Sequence, residues 1–174
     1  AEWIFTDAGS PTLVISEVYG AGGNSGATFT NDYIQIFNRS ATAQDLTGMS
    51  LQYASATGTG NLGASSTQLT VLPSVMLQPG QYYLVKESGG ATGVSFTPDF
   101  TAANPIAMAA GAGKVALVAS TSSVGCNGGS TPCVAAQQAL IIDLVGYGNA
   151  NFFEGAAAAP AIAATTAARR KGNG

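Results

Sequence analysis

The chain has 174 residues, enough for one domain that buries roughly 70% of the surface its unfolded form exposes, so a core can form without metal or many disulfides. Charged residues make up only 9%, against about 25% in an average soluble domain; the surface is therefore built of small neutral side chains that repel their neighbours weakly. The net charge is −3, and three of the six basic residues are Arg169, Arg170 and Lys171, so the body carries no Lys/Arg cluster of the kind a nucleic-acid surface needs.

In chain order, residues 1–12 stand apart as an N-terminal arm. Trp3, Ile4 and Phe5 form a compact apolar patch ahead of a turn at 7–11, a segment that needs burial against its own sheet or a neighbouring molecule. Residues 13–19 read as a strand through β-branched Val14, Ile15 and Val18, ended by a Gly-rich connection at 20–26. Residues 33–38 alternate, with Tyr33, Gln35 and Phe37 on one face and Ile34 and Ile36 on the other. Further strands are expected at 51–53, at 69–76 with Pro73 marking an edge or bend, at 82–86 and at 114–119. The most hydrophobic run, 139–147 around a lone Asp143, reads as a central strand. No segment keeps apolar residues at helical spacing for long. Seven or more strands joined by turn-rich loops predict an all-β, two-sheet β-sandwich over residues 13–174, with an Ala-rich C-terminal segment.

Cys126 and Cys133 flank a turn-rich loop whose length lets the sulfurs meet. A disulfide is the favoured reading; zinc is the alternative, and the chain has no His to help bind it. A disulfide implies an oxidising compartment, and the expected location is secreted or cell surface. No run of about 18 apolar residues is present to span a membrane, and the stretch 156–168 is broken by Pro160. Ala1 is compatible with cleavage after a small-residue signal site.

The motifs Val14-Ile15-Ser16-Glu17-Val18-Tyr19-Gly20, Asn31-Asp32-Tyr33-Ile34-Gln35-Ile36-Phe37-Asn38, Leu46-Thr47-Gly48-Met49-Ser50-Leu51, Pro79-Gly80-Gln81-Tyr82-Tyr83-Leu84-Val85, Gly113-Lys114-Val115-Ala116-Leu117-Val118 and Asp143-Leu144-Val145-Gly146-Tyr147-Gly148 with Phe153-Glu154-Gly155 resemble, in order and spacing, the bacterial extracellular branch of the lamin tail domain family. The resemblance implies an immunoglobulin-like β-sandwich and a non-catalytic module, carried on surface proteins or joined to secreted nucleases or phosphatases. Three positions depart from the pattern. Gln35 stands where relatives usually have Glu, and Phe152 replaces a second Cys, leaving Cys126 and Cys133 to pair locally. The resemblance also runs out at Ala168-Arg169-Arg170-Lys171-Gly172, so the strand that closes the sandwich is expected to be missing.

Chemistry finds little support. Without His the usual base for Ser and Cys nucleophiles is lacking, and the candidate acid pairs, Glu17 with Asp32 and Asp143 with Glu154, are more simply loop hydrogen-bonders or solvated charges than glycosidase acids. Glu17 and Asp32, with carbonyls of the 20–31 loop, are the candidate calcium ligands, and no other cofactor is expected. The stretches 20–26 and 111–114 lack both the Gly-Lys-Ser/Thr ending and the helix of a phosphate loop. Tyr19, Tyr33, Tyr53, Tyr82 and Tyr83 are a candidate carbohydrate platform that alternation sends at least half into packing. Asn38-Arg39-Ser40 matches a glycosylation acceptor. The expected function is a structural or adhesive protein that self-associates, a filament subunit joined by β-strand addition through the arm. The alternatives are a targeting module of a larger secreted hydrolase and a carbohydrate-binding domain for a surface polysaccharide.

Overall fold

In the computed structural model, described over residues 2–3 (backbone) and 11–172, β-branched and aromatic residues build two main sheets and a small β-pair. The strands are β1 (Glu2–Trp3), β2 (Leu13–Tyr19), β3 (Asn31–Asn38), β4 (Gln44–Asp45), β5 (Ser50–Ser55), β6 (Leu69–Val71), β7 (Met76–Leu77), β8 (Tyr82–Gly89), β9 (Phe100–Thr101), β10 (Gly113–Val118), β11 (Ile141–Tyr147) and β12 (Ala168–Arg170). Sheet 1 has the order β1-β12-β2-β3-β8-β9, sheet 2 the order β11-β10-β5-β6, and β4 pairs with β7. One short helix, α1 (Ala135–Gln138), follows the cysteine loop, and no described helix is long and apolar enough to cross a membrane.

Alternation puts the core between the sheets. In sheet 1, Ile15 lies opposite Ile36, and Ile36 opposite Tyr83; in sheet 2, Leu117 lies opposite Leu51, and Val115 opposite both Tyr53 and Val145. All of these join one buried cluster, the arrangement that lets each sheet hide its apolar face on the other. Sheet 2 is covered on its other face too. Ala54, Ala116, Val118 and Leu144 pack there against Leu62, Val124 and Cys126, which is why β10 is buried at every position and reads as a continuous apolar run.

Two expectations change. The run 139–147 is an edge strand, since β11 ends the order of sheet 2. Its apolarity reflects two covered faces, with Val145 and Tyr147 in the main core and Leu144 in the second cluster; burial of faces sets composition, whereas position in the sheet does not. The C-terminal segment also forms a strand, where none was expected. Ala168 pairs with Val18 and Arg169 with Glu17 in antiparallel register, and the Ala-rich segment before it is the crossover between the sheets, with Ala159 bridging to Tyr147. Small residues suit such a close crossing, and Ala159 and Ile162 are buried in it.

The Gly-rich loop after β2 is packed. A Cβ on Gly22 would collide with the backbone of Asn31 and Asp32, and Gly23, at φ +73°, lies against the backbone of Gly90. Both positions need the missing side chain, and Gly23 also needs the left-handed conformation.

Candidate functional site

The chain's two terminal segments meet at one edge of sheet 1. β12 extends the sheet beyond β2, and β1 adds to β12 in parallel, with Glu2 opposite Arg169 and Trp3 opposite Arg170. The facing edge of sheet 2 is β11. Arg170 and Asp143 tie the two layers together. Arg170 Nη2 donates to Asp143 Oδ1 at 2.8 Å and Oδ2 at 2.7 Å, and Arg170 Nε donates to the Ile15 carbonyl at 3.2 Å. The Ile15 N–H in turn donates to Asp143 Oδ2 at 2.5 Å. The pairing of β12 with β2 runs only over Ala168 and Arg169, and β2 is irregular between Ile15 and Glu17. The two side chains thus satisfy the Ile15 peptide groups, as buried main-chain groups require.

A groove of about 340 Å³ runs along β11 at this seam. Ile141, Ile142, Leu144 and Phe152 form its apolar wall, and Gln138, Asp143 and Glu154 supply its polar groups. On the outer side of β11 the described pairing is confined to its far end, where Gly148 N donates to Ala159 O at 2.8 Å and Ala159 N to Gly146 O at 2.7 Å.

The other sequence candidates disperse. Cys126 and Cys133 form the disulfide, with Cα atoms 5.1 Å apart. Of the arm, Trp3 has its backbone in β1, whereas Ile4 and Phe5 lie outside the described residues. Glu17 accepts from Tyr33 Oη at 2.5 Å, and Asp32, the neighbour of Tyr33 in an alternating strand, projects from the opposite face. The Asp32 oxygens accept main-chain N–H groups, from Gly22 at 2.8 Å and Met108 at 3.0 Å. Among the described residues no cluster of three or more His, Cys, Asp or Glu is placed to hold a metal. Asp143 and Glu154 do share the groove, with Asp143 held by Arg170.

Of the five tyrosines of the candidate platform only Tyr82 is exposed, tilted against Phe37 with ring centres 4.4 Å apart. Tyr19 and Tyr33 stack on one another and pack edge-on against Phe29. Lys114 is fully buried and donates to the Asn127 carbonyl and Asn151 Oδ1, both at 2.9 Å, fastening the disulfide loop. Asn38 is fully buried, with its amide donating to the carbonyls of Thr42 and Leu77. Such an amide offers nothing to glycosylation in the folded chain.

One buried group escaped the sequence reading. Glu87 is 2% exposed and its Oε2 accepts from Thr70 Oγ1 at 2.9 Å and Ile106 N at 2.7 Å, while Oε1 has no partner among the described residues. Burial raises its carboxyl to about 7, despite the lowering effect of those two hydrogen bonds; burial likewise raises Asp32 to about 6. Together they clasp the irregular segment 106–108. The signal was the alternation, because Glu87 is in phase with inward-facing Tyr83 and Val85.

The Lamin Tail Domain family model matches residues 6–149. Among solved structures, the crystal structure of a DUF4876 family protein from Bacteroides thetaiotaomicron is similar at 13% identity and a TM-score of 0.47, over 81% of this chain; the match spans 55% of that protein's chain. No curated protein matches the sequence.

Proposed function

The chain belongs to the lamin tail domain family, and from that premise we propose that it is a non-catalytic, extracellular structural protein, a filament subunit that assembles with copies of itself by β-strand addition through its N-terminal arm. The observation that carries this reading is the addition of β1 to the β12 edge of sheet 1. A contact made through main-chain hydrogen bonds to an edge strand can be offered equally by the arm of a second copy, as in strand exchange between protomers. A head-to-tail exchange of this kind propagates into a fibre unless its rotation closes a ring.

Three further features support the reading. The surface carries few charges to keep copies apart. The disulfide fits an oxidising compartment. Of the acids weighed for catalysis, Asp143 is taken up by Arg170 and Asp32 by main-chain N–H groups, which favours a structural role for these two. The burial of four of the five platform tyrosines argues for self-association over a polysaccharide ligand.

Deletion of residues 1–10 tests the proposal. The truncated chain is expected to remain a folded monomer by circular dichroism and to form no filaments in electron micrographs, where the full chain does. Unchanged assembly after the deletion overturns it.

A further inference from the structure

We propose that the groove along the outer edge of β11 is the seat for the arm of a second copy of this chain, with apolar residues of the Trp3-Ile4-Phe5 triplet entering beside Ile142, Leu144 and Phe152. The inference rests on the self-assembly reading above and adds to it the acceptor site. Three observations lead to it.

The first is the edge itself. β11 ends sheet 2, and from Ile141 to Leu144 no described strand pairs with its outer side. An edge of this kind is a template for a further strand, and exposed apolar edges in native proteins are ordinarily blunted by charge, proline or a covering segment. Here the acidic group within the run, Asp143, is 2% exposed and neutralised by Arg170, so it offers no such protection. Ile141 and Ile142 are only partly buried, and Leu140 just before them is exposed.

The second observation is continuity with the strand addition already described. Trp3 pairs with Arg170, Arg170 holds Asp143 at 2.7 Å, and Asp143 lines the groove. The Arg170 side chain thus links the strand on which β1 is laid to a residue of the groove. The main chain of an added strand can engage the edge while alternate side chains enter the apolar strip, the division of labour by which strand addition gains both affinity and register.

The third is direction. β1 runs parallel to β12, and β12 runs antiparallel to β2. Within one copy β1 and β2 therefore run in opposite directions. The arm of a second copy need not lead into β2 of the chain it binds and can run extended along the seam, where about 3.3 Å per residue lets a few residues cover the length of an edge strand.

The test uses two cysteine variants in separate full-length chains, so that only contacts between copies can be captured. Ile4→Cys chains are mixed with Ile142→Cys chains, allowed to assemble and oxidised. The expected result is a disulfide-linked pair of unlike chains on a non-reducing gel, enriched on the order of tenfold over a control in which Ile4→Cys meets Thr101→Cys on the opposite edge of sheet 1. Yield equal to that control overturns the proposal. Predominant Ile142→Cys homodimers also overturn it, because they would show two β11 edges pairing with each other. So does a bond formed only within one chain of an Ile4→Cys/Ile142→Cys double variant, which would make the groove the seat of the chain's own arm.

Ile142→Arg gives a second readout at the partly buried wall. Filaments are expected to be lost while the thermal midpoint of the dispersed chain stays near that of the parent; filaments that persist count against the groove. The two levels separate cleanly. Assembly that depends on residues 1–10 but shows no Ile4–Ile142 link leaves strand addition standing and removes this acceptor, whereas a full chain that forms no assemblies removes both.

Discussion

Asp143 and Arg170 are two charges in nearly dry surroundings, with side chains 0% and 3% exposed. Replacing a buried pair by apolar residues is often neutral, but removing one partner strands the other. Arg170→Met is accordingly expected to destabilise the fold by about 3 to 5 kcal/mol in urea denaturation, and Asp143→Leu added to it to restore most of that loss. In sequence, a lone acid inside an apolar run announced that a partner was needed. Nothing in the sequence said which cation would supply it, and Arg170 read as part of a solvated tail.

Glu87 and Asp32 make a prediction of unusual sign. Their folded-state values, about 7 and about 6, lie above the roughly 4 of an unfolded carboxyl, so the native chain holds more protons than the unfolded chain between those limits. Stability is then greatest on the acid side of the window and falls as pH rises from about 4 toward 7. The groups facing Glu87 are the Ile106 N–H and Thr70, which lower it, and Asp32, which raises it further. Thermal melts are expected to show a higher midpoint at pH 5 than at pH 7.5, and Glu87→Gln to flatten most of that slope. A midpoint that rises from pH 5 to pH 7.5 would contradict the assignment.

At the scale of elements, the disulfide loop fastens the cover over the outer face of sheet 2, assisted by Lys114 from β10. Closing so short a loop stabilises by about 2 to 3 kcal/mol in the chain-entropy model. Cys126→Ser with Cys133→Ser is therefore expected to lower the unfolding free energy by about that amount and leave the sandwich folded by circular dichroism, since the main core lies on the other face of the sheet. β11 and β12 show where element reading succeeds and fails. Alternation and β-branching located β2, β3, β8 and β10, because those signals record which faces are buried. They do not record lateral neighbours. A run of apolar residues thus looked central when it was an edge, and Ala168–Arg170, too short to signal a strand, joins sheet 1 between β1 and β2.

For the whole molecule, 9% charged residues and a groove lined mostly by apolar groups mean that the proposed assembly would be driven by burial and main-chain pairing. Screening acts on charges over a Debye length of about 10 Å at 0.1 M salt and leaves apolar burial largely untouched. Filament yield, measured by sedimentation, is expected to change little between low and moderately high sodium chloride; dissolution of the filaments on adding salt would place their contacts among surface charges instead.

The sequence by itself determined the all-β class, the two-layer architecture and the local disulfide, since period-two burial, turn residues and two cysteines in one loop are properties of neighbouring positions, and the order of its motifs carried the resemblance to the family. It also marked the arm as apolar. Tertiary structure alone decided that β12 joins the first sheet beside β2, that β11 is an edge, that Arg170 meets Asp143 across 27 residues of chain and that Glu17 and Asp32 point apart. Each of these depends on which distant segments the fold lays side by side, and pairing between segments leaves no trace in the spacing of either one.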